Sequence, residues 1–114
     1  MMHELSIALG IVKIAEEETA KANAKKVDLI ELEIGTLAGI EFDSLDFVWP
    51  AAVKNTVLEN AEKKINIIKA KAQCFDCDTI FDIENVFDPC PVCNSFLKGI
   101  LQGKELRVKS IEVS

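Results

Sequence analysis

Cys74-Phe75-Asp76-Cys77 and Cys90-Pro91-Val92-Cys93 contain all four cysteines of the 114-residue chain. A two-residue spacing lets one tight turn aim both thiols of a pair at a single point. Two such turns supply the four soft ligands that tetrahedral zinc prefers. The 12 residues between the pairs are enough for a short hairpin that brings the chain back to the same point. The rival arrangement is two disulfides, for which four cysteines allow three pairings. That rival needs an oxidising compartment. The opening Met1-Met2-His3-Glu4-Leu5-Ser6, soon followed by Glu16-Glu17-Glu18, has neither the basic start nor the cleavage site of a secretory signal. Structural zinc on Cys74, Cys77, Cys90 and Cys93 is therefore expected. Four sulfurs leave no open position for water, so catalysis at the metal is not. Iron, with redox work, is the minor alternative for the same sulfurs.

Size and charge narrow the reading further. The length suits one domain with a metal-held appendage. An apolar content of 49% supports a real core. No apolar run reaches the roughly eighteen residues of a membrane span. A formal charge of −6 argues against general nucleic-acid binding. The cysteine segment is itself acidic: from Cys74 to Gly103 it contains Asp76, Asp78, Asp82, Glu84 and Asp88 against Lys98 alone. Four thiolates around a divalent ion would add more negative charge, and phosphate would be repelled.

Periodicity assigns the elements. Leu5, Ala8, Leu9, Val12 and Ala15 recur at three-to-four spacing within residues 4–24, with Ile7, Ile11 and Ile14 widening the stripe and Thr19 next on that face. This segment is predicted to be an amphipathic helix. From Val27 to Gly35 the period becomes two, with Ile30, Leu32 and Ile34 directed inward along a strand. A second helix is expected from about Asp43, carrying Leu45, Phe47, Val48, Trp49 and Val53. Pro50 should kink it or start a new turn. Trp49 is assigned to the core. Alternation at 65–70 and in the tail from Leu106 to Val113 suggests two more strands, the last with a bulge or register change.

The fold expected is therefore α+β, a small sheet of about three strands packed with two helices and an inserted four-cysteine, zinc-ribbon-like module. Residues 1–70 with 104–114 form the α/β domain and 71–103 the module, an excursion between two neighbouring strands of one sheet. Phe75, Phe81, Phe87 and Phe96, four of the six phenylalanines, are expected to build its small core. Where glycine often follows the second cysteine of a zinc knuckle, this chain has Asp78 and Asn94, the residue types that best tolerate the left-handed conformation after glycine. Pro91 should stiffen the second knuckle.

His3 is the single histidine. An exposed terminal side chain is the plain reading. Against it stands the local chemistry: an α-amine, deprotonated amides and an imidazole in one short peptide make a square-planar nitrogen set suited to Ni²⁺ or Cu²⁺. Neutral imidazole is the binding form, so affinity should fall with acidification. Glu4 beside it could add an oxygen ligand or bind the imidazole.

At this point the chain resembles the hydrogenase/urease nickel-incorporation proteins (HypA/HybF). The resemblance rests on Met2-His3-Glu4-Leu5-Ser6, Ile34-Gly35, Glu41 before Ser44-Leu45, both knuckles, Gly103-x-Glu105-Leu106 and Ser110-Ile111-Glu112-Val113, and so spans nearly the whole chain. It implies a cytoplasmic nickel metallochaperone that carries Ni(II) as cargo and Zn(II) as a structural ion. Cargo would pass to a nickel-enzyme precursor, usually the hydrogenase large subunit, with a GTPase maturation partner. Urease maturation proteins are further candidate partners, and a homodimer is compatible with it. The resemblance maps the nickel ligand onto His3, with Glu4 contributing to the site or its partner contacts and Glu41 near the nickel. The family normally begins Met-His-Glu, whereas this chain begins Met1-Met2-His3-Glu4, so Met1 and Met2 enter the ligand set through the α-amine and amides. A zinc-ribbon adapter without nickel is the competing class. An enzyme is not supported, since there is no second histidine, nucleophile elbow or phosphate-binding glycine loop.

Overall fold

The computed structural model describes residues 2–114, with the Met2 side chain outside the description. In chain order the elements are α1 (Met2–Lys21), β1 (Val27–Gly35), α2 (Phe42–Val53), β2 (Glu62–Ile68), β3 (Lys71–Cys74), β4 (Ile80–Asp82), β5 (Lys98–Gln102) and β6 (Leu106–Val113). They form two three-stranded sheets, ordered β2-β1-β6 and β4-β3-β5. This is the expected α+β class, with a second sheet that the sequence had not resolved. The chain divides into two compact units. One holds the chain up to Leu32, then Ile40–Ile65 and Arg107–Ser114; the other holds Glu33–Gly39 and Asn66–Leu106.

In the first unit, α1 ends earlier than its apolar pattern. Asn23 takes a positive φ of 55°. The Ala24 amide then reaches back to the Thr19 carbonyl at 3.0 Å and the Asn23 amide to the Ala20 carbonyl at 3.0 Å. Those paired bonds satisfy the last orphan carbonyls of the helix and stop it. The buried side of α1 is narrower than the stripe suggested: Glu4, Ala8, Ile11, Val12, Ala15 and Thr19 are covered, while Leu9 and Ile14 face solvent. Both ends of this stripe are polar. Among the described residues the Thr19 hydroxyl has no hydrogen-bond partner.

β1 occupies the expected residues, and Ile30, Leu32 and Ile34 are fully buried. α2 starts one residue before Asp43, because the Glu41 carboxylate accepts from the Asp43 amide at 2.9 Å and the Ser44 amide at 3.2 Å. The helix runs through Pro50 without starting a new turn there and ends at Val53. Leu45, Trp49, Ala52 and Val53 are its buried residues, and the Lys63 ammonium lies 4.7 Å from the centre of the Trp49 ring.

The excursion does not join neighbouring strands. β2 and β6, on either side of the cysteine segment, both pair with β1, which separates them. Within the second unit the chain is tied near Gly35 largely through its backbone, with the Thr36 hydroxyl accepting from the Ala70 amide at 3.1 Å. The Gly35 amide donates to the Glu105 carbonyl at 2.8 Å, the Thr36 amide to Ile68 at 3.0 Å and the Leu37 amide to Gly103 at 2.7 Å. A Cβ on Gly35 would sit 2.0 Å from the Gly103 carbonyl oxygen. Gly103 has a φ of +119°, and a Cβ there would lie 2.5 Å from the Ala70 Cβ.

Two substitutions test this account in opposite directions. Thr19→Val removes an unpaired buried hydroxyl at constant shape and should raise unfolding stability by about 1 kcal/mol. A drop in the denaturation midpoint would show that the hydroxyl is satisfied. Gly35→Ala forces backbone apart and should lower stability by about 2 kcal/mol or more, read in the same experiment.

Candidate metal centre

The cysteine pairs are built by one local device used twice. In the first knuckle the Cys74 amide donates to the Thr79 carbonyl at 2.9 Å and the Asp78 amide to the Cys74 carbonyl at 3.0 Å. In the second, the Cys90 amide donates to Ser95 at 2.8 Å and the Asn94 amide to Cys90 at 2.8 Å. Each turn needs one left-handed residue. These are Asp78 (φ 62°) and Asn94 (φ 67°), the two positions that the sequence singled out. The Val92 amide also points at Cys90 Sγ, 3.4 Å away.

The turns bring the four thiols together. All four sulfurs lie within 4.8 Å of one another, with Cys74 and Cys93 at 3.5 Å and Cys77 and Cys90 at 3.6 Å. None is in a disulfide. A tetrahedral ion with metal–sulfur bonds of about 2.3 Å separates its sulfurs by roughly 3.8 Å. The donor set therefore fits a four-coordinate, thiophilic metal. Cys74 and Cys90 are buried and Cys77 and Cys93 exposed, so one sulfur of each pair faces inward and the other outward.

Crowding four thiols sets them against one another. The hydroxyl and amide of Thr79 beside Cys77, aided by contacts from Cys90 and Cys93, bring its thiol down to about 6 against the effect of burial. At Cys93 the Ser95 amide works to lower the pKa, but the contact with Cys74, burial and the other two thiols outweigh it and push it up to about 12. One thiol ionises readily and another holds its proton, as expected where like charges converge.

Thr79 and Ser95 were missed in the sequence reading, although each follows the second cysteine of its pair by two residues. The repeated signal was Cys-x-x-Cys, then Asp or Asn, then Thr or Ser. The loop between the knuckles is closed by Asp88. Its carboxylate accepts from the Glu84 amide at 2.8 Å and the Asn85 amide at 3.2 Å, and these bonds hold its pKa below the usual carboxylate range.

Beneath the thiols, the buried core of the module is Ala70, Ala72, Cys74, Phe81, Ile83 and Cys90, with Leu37 and Ile100 packed against it. Of the four phenylalanines expected there, only Phe81 is inside; Phe75, Phe87 and Phe96 are exposed. Two cysteines take the place of those rings, so the core is partly made of candidate metal ligands.

Of the residues expected to handle nickel, His3 lies exposed in the first turn of α1. Glu4, beside it, is only 3% exposed, and its carboxylate accepts from the Glu41 amide at 3.3 Å. That amide is the largest influence lowering the Glu4 pKa, with burial opposing it. The structure thus brings Glu4 and Glu41 together, with Glu41 turned to the head of α2. Met1 and the Met2 side chain lie outside the described residues.

Fold and thiol cluster together define a small α+β metal-binding protein. A protein-family model, hydrogenase/urease nickel incorporation, metallochaperone, hypA, matches residues 2–113. The chain belongs to this family of nickel metallochaperones for hydrogenase maturation, which are maturation factors and not enzymes. The hydrogenase maturation factor HypA of Parabacteroides distasonis is 48% identical over 112 residues, covering 98% of this chain and 97% of the relative. That of Francisella philomiragia is 41% identical over 110 residues, covering 96% and 97%. The same fold occurs in the solution structure of the Ni metallochaperone HypA from Helicobacter pylori (TM-score 0.67, 24% identity, 96% of each chain covered). A solution structure titled HypA protein has a TM-score of 0.70, with 24% identity and 100% and 98% of the two chains covered.

The knuckle geometry yields a direct test. Asp78→Gly and Asn94→Gly should keep full metal retention against a competing chelator. Asp78→Val or Asn94→Val, which a β-branched side chain makes costly at positive φ, should release the metal at lower chelator concentration. Equal retention by all four variants would remove the left-handed turns from the account.

Proposed function

We propose that this chain takes Ni(II) at its N-terminus and hands it to a nickel-enzyme precursor, first among candidates the hydrogenase large subunit. Zn(II) on Cys74, Cys77, Cys90 and Cys93 would be structural. The observation that carries the reading is the family match over residues 2–113 joined to an exposed His3 at the head of α1. Maintaining four reduced thiols suits a reducing compartment, so the work is placed in the cytoplasm. Zinc closes the site without redox chemistry, and its binding free energy, on the order of 10 kcal/mol or more, goes into folding the module.

The head of a helix is chemically suited to cargo. The first amides of α1 have no intrahelical acceptor, so a metal can replace their protons, which pass to water, without breaking a helical bond. In this reading the α-amine of Met1, the amides of Met2 and His3 and the His3 imidazole surround Ni(II) in one plane. A planar chelate is not helical, so loading would unwind the first turn and unloading would restore it. Glu4 is assigned a positioning role, since its carboxylate is buried against the Glu41 backbone. Its tie holds the segment after His3 while the turn ahead of it opens. Glu41 anchors the other end of that tie at the start of α2. A GTPase maturation partner is assigned to the release step. Urease maturation proteins are alternative recipients.

Metal analysis tests the proposal. The wild-type chain should hold one zinc and bind one nickel, and His3→Ala should keep zinc and lose nickel. Chains beginning at Met1 and at Met2 should differ in nickel spectrum and affinity. Full nickel binding by His3→Ala would overturn the site, and identical behaviour of the two termini would remove the α-amine from it.

A further inference from the structure

The sheet of the second unit has two faces of unequal use. Its register pairs Ala72 with Phe81 on one side and Ile100 on the other, and these residues face the module core. Their neighbours alternate to the opposite face. There Gln73 pairs with Ile80 and with Gly99, and the Phe75 amide donates to the Leu97 carbonyl at 2.9 Å, placing Phe75 opposite Leu97. Leu101 joins them at the irregularity opposite Lys71. Lys71 and Gln73 line the middle strand of this outer face, and around them four apolar side chains are uncovered: Phe75 is 66% exposed, Leu97 63%, Ile80 58% and Leu101 52%.

The face is also ordered from below. A Cβ on Gly99 would lie 3.1 Å from the Phe75 ring tip, so the ring lies over the glycine. An aromatic laid across a strand glycine is fixed by the surface it covers. Adjacent large apolar side chains presented together on a small domain mark an interaction site more often than isolated ones do. The rim is acidic. Asp76 and Asp78 are exposed in the knuckle that carries Phe75, and Asp82, beside Ile80, is paired with Lys71 at 2.6 Å. Over the whole second unit there are seven acids and four lysines, and the Lys71 charge is taken up by Asp82, which leaves Asp76 and Asp78 as the uncompensated charges beside Phe75. A second copy would bring the same negative charge and be repelled, whereas a basic partner would be drawn in and its apolar side chains covered.

We propose that the outer face formed by Phe75, Ile80, Leu97 and Leu101 docks a cationic, apolar segment of a partner polypeptide. The proposal is independent of nickel handling. The test uses the zinc-loaded full chain and a short synthetic peptide of alternating leucine and lysine, with a leucine–glutamate peptide as control. Binding is measured by calorimetry and mapped by amide chemical shifts. The expected result is saturable binding of the lysine peptide, with shifts centred on Gln73, Phe75, Ile80 and Gly99 and affinity falling as salt rises. Leu101→Ser, away from the thiols, and Phe75→Ser, verified to retain one zinc, should each weaken binding by about tenfold. His3→Ala should leave it unchanged. The proposal is overturned by no binding, by shifts centred elsewhere, by equal binding of the glutamate peptide, or by indifference to both substitutions. Sedimentation showing a dimer that Leu101→Ser dissociates would assign the face to a second copy and equally overturn it.

Discussion

Four sulfurs held within 4.8 Å of one another cannot all carry charge unless a cation sits among them. Much of the second unit depends on that constraint. Its buried core is small, and two of its six members, Cys74 and Cys90, are themselves candidate ligands. Without the ion the cluster must keep protons on some thiols, as the opposed behaviour of Cys77 and Cys93 indicates. With the ion, coordination does the work that a larger apolar core does in a bigger domain. A metal held by these thiols would thus be part of the interior, with the knuckles placing its ligands there.

The parts of the fold visible in the sequence were those with a long period or a fixed spacing. β1 alternates over nine residues and was recovered to its ends. The cysteine spacing, and the left-handed turns at Asp78 and Asn94, followed from what each residue type tolerates. Strands of three to five residues, β3, β4 and β5, are too short to display a period of two, so the second sheet was invisible. In α1 apolar residues surround most of the helix, and the pattern could not say that Leu9 and Ile14 would be left outside. Hydrophobicity alone does not place Phe75, Phe87 and Phe96 inside, because an apolar residue can be exposed at little cost while a buried one must be covered.

At the N-terminus, composition pointed to His3 and the structure adds what lies behind it. Glutamate is not among the favoured residues for starting a helix, so the capping by Glu41 gave no signal. Nor did the burial of Glu4, a carboxylate placed by spacing on the same side as Ala8, Ile11 and Ala15. These two acids tie the start of α1 to the start of α2 through one hydrogen bond. The cargo site proposed for this helix end would therefore have a fixed base immediately after the segment proposed to change shape.

The contact among Gly35, Gly103 and Ala70 sets where this chain can vary in length. Gly103 is held by the Leu37 amide and pressed on the Ala70 backbone, so the exit of the cysteine excursion is fixed in place. Between that exit and its entrance the chain includes the exposed Glu84–Phe87 stretch. Residues added there lengthen a loop at little cost, while a single residue added next to Gly103 shifts the closing backbone out of contact. Insertions should accumulate at the tip of the module and be refused at its base.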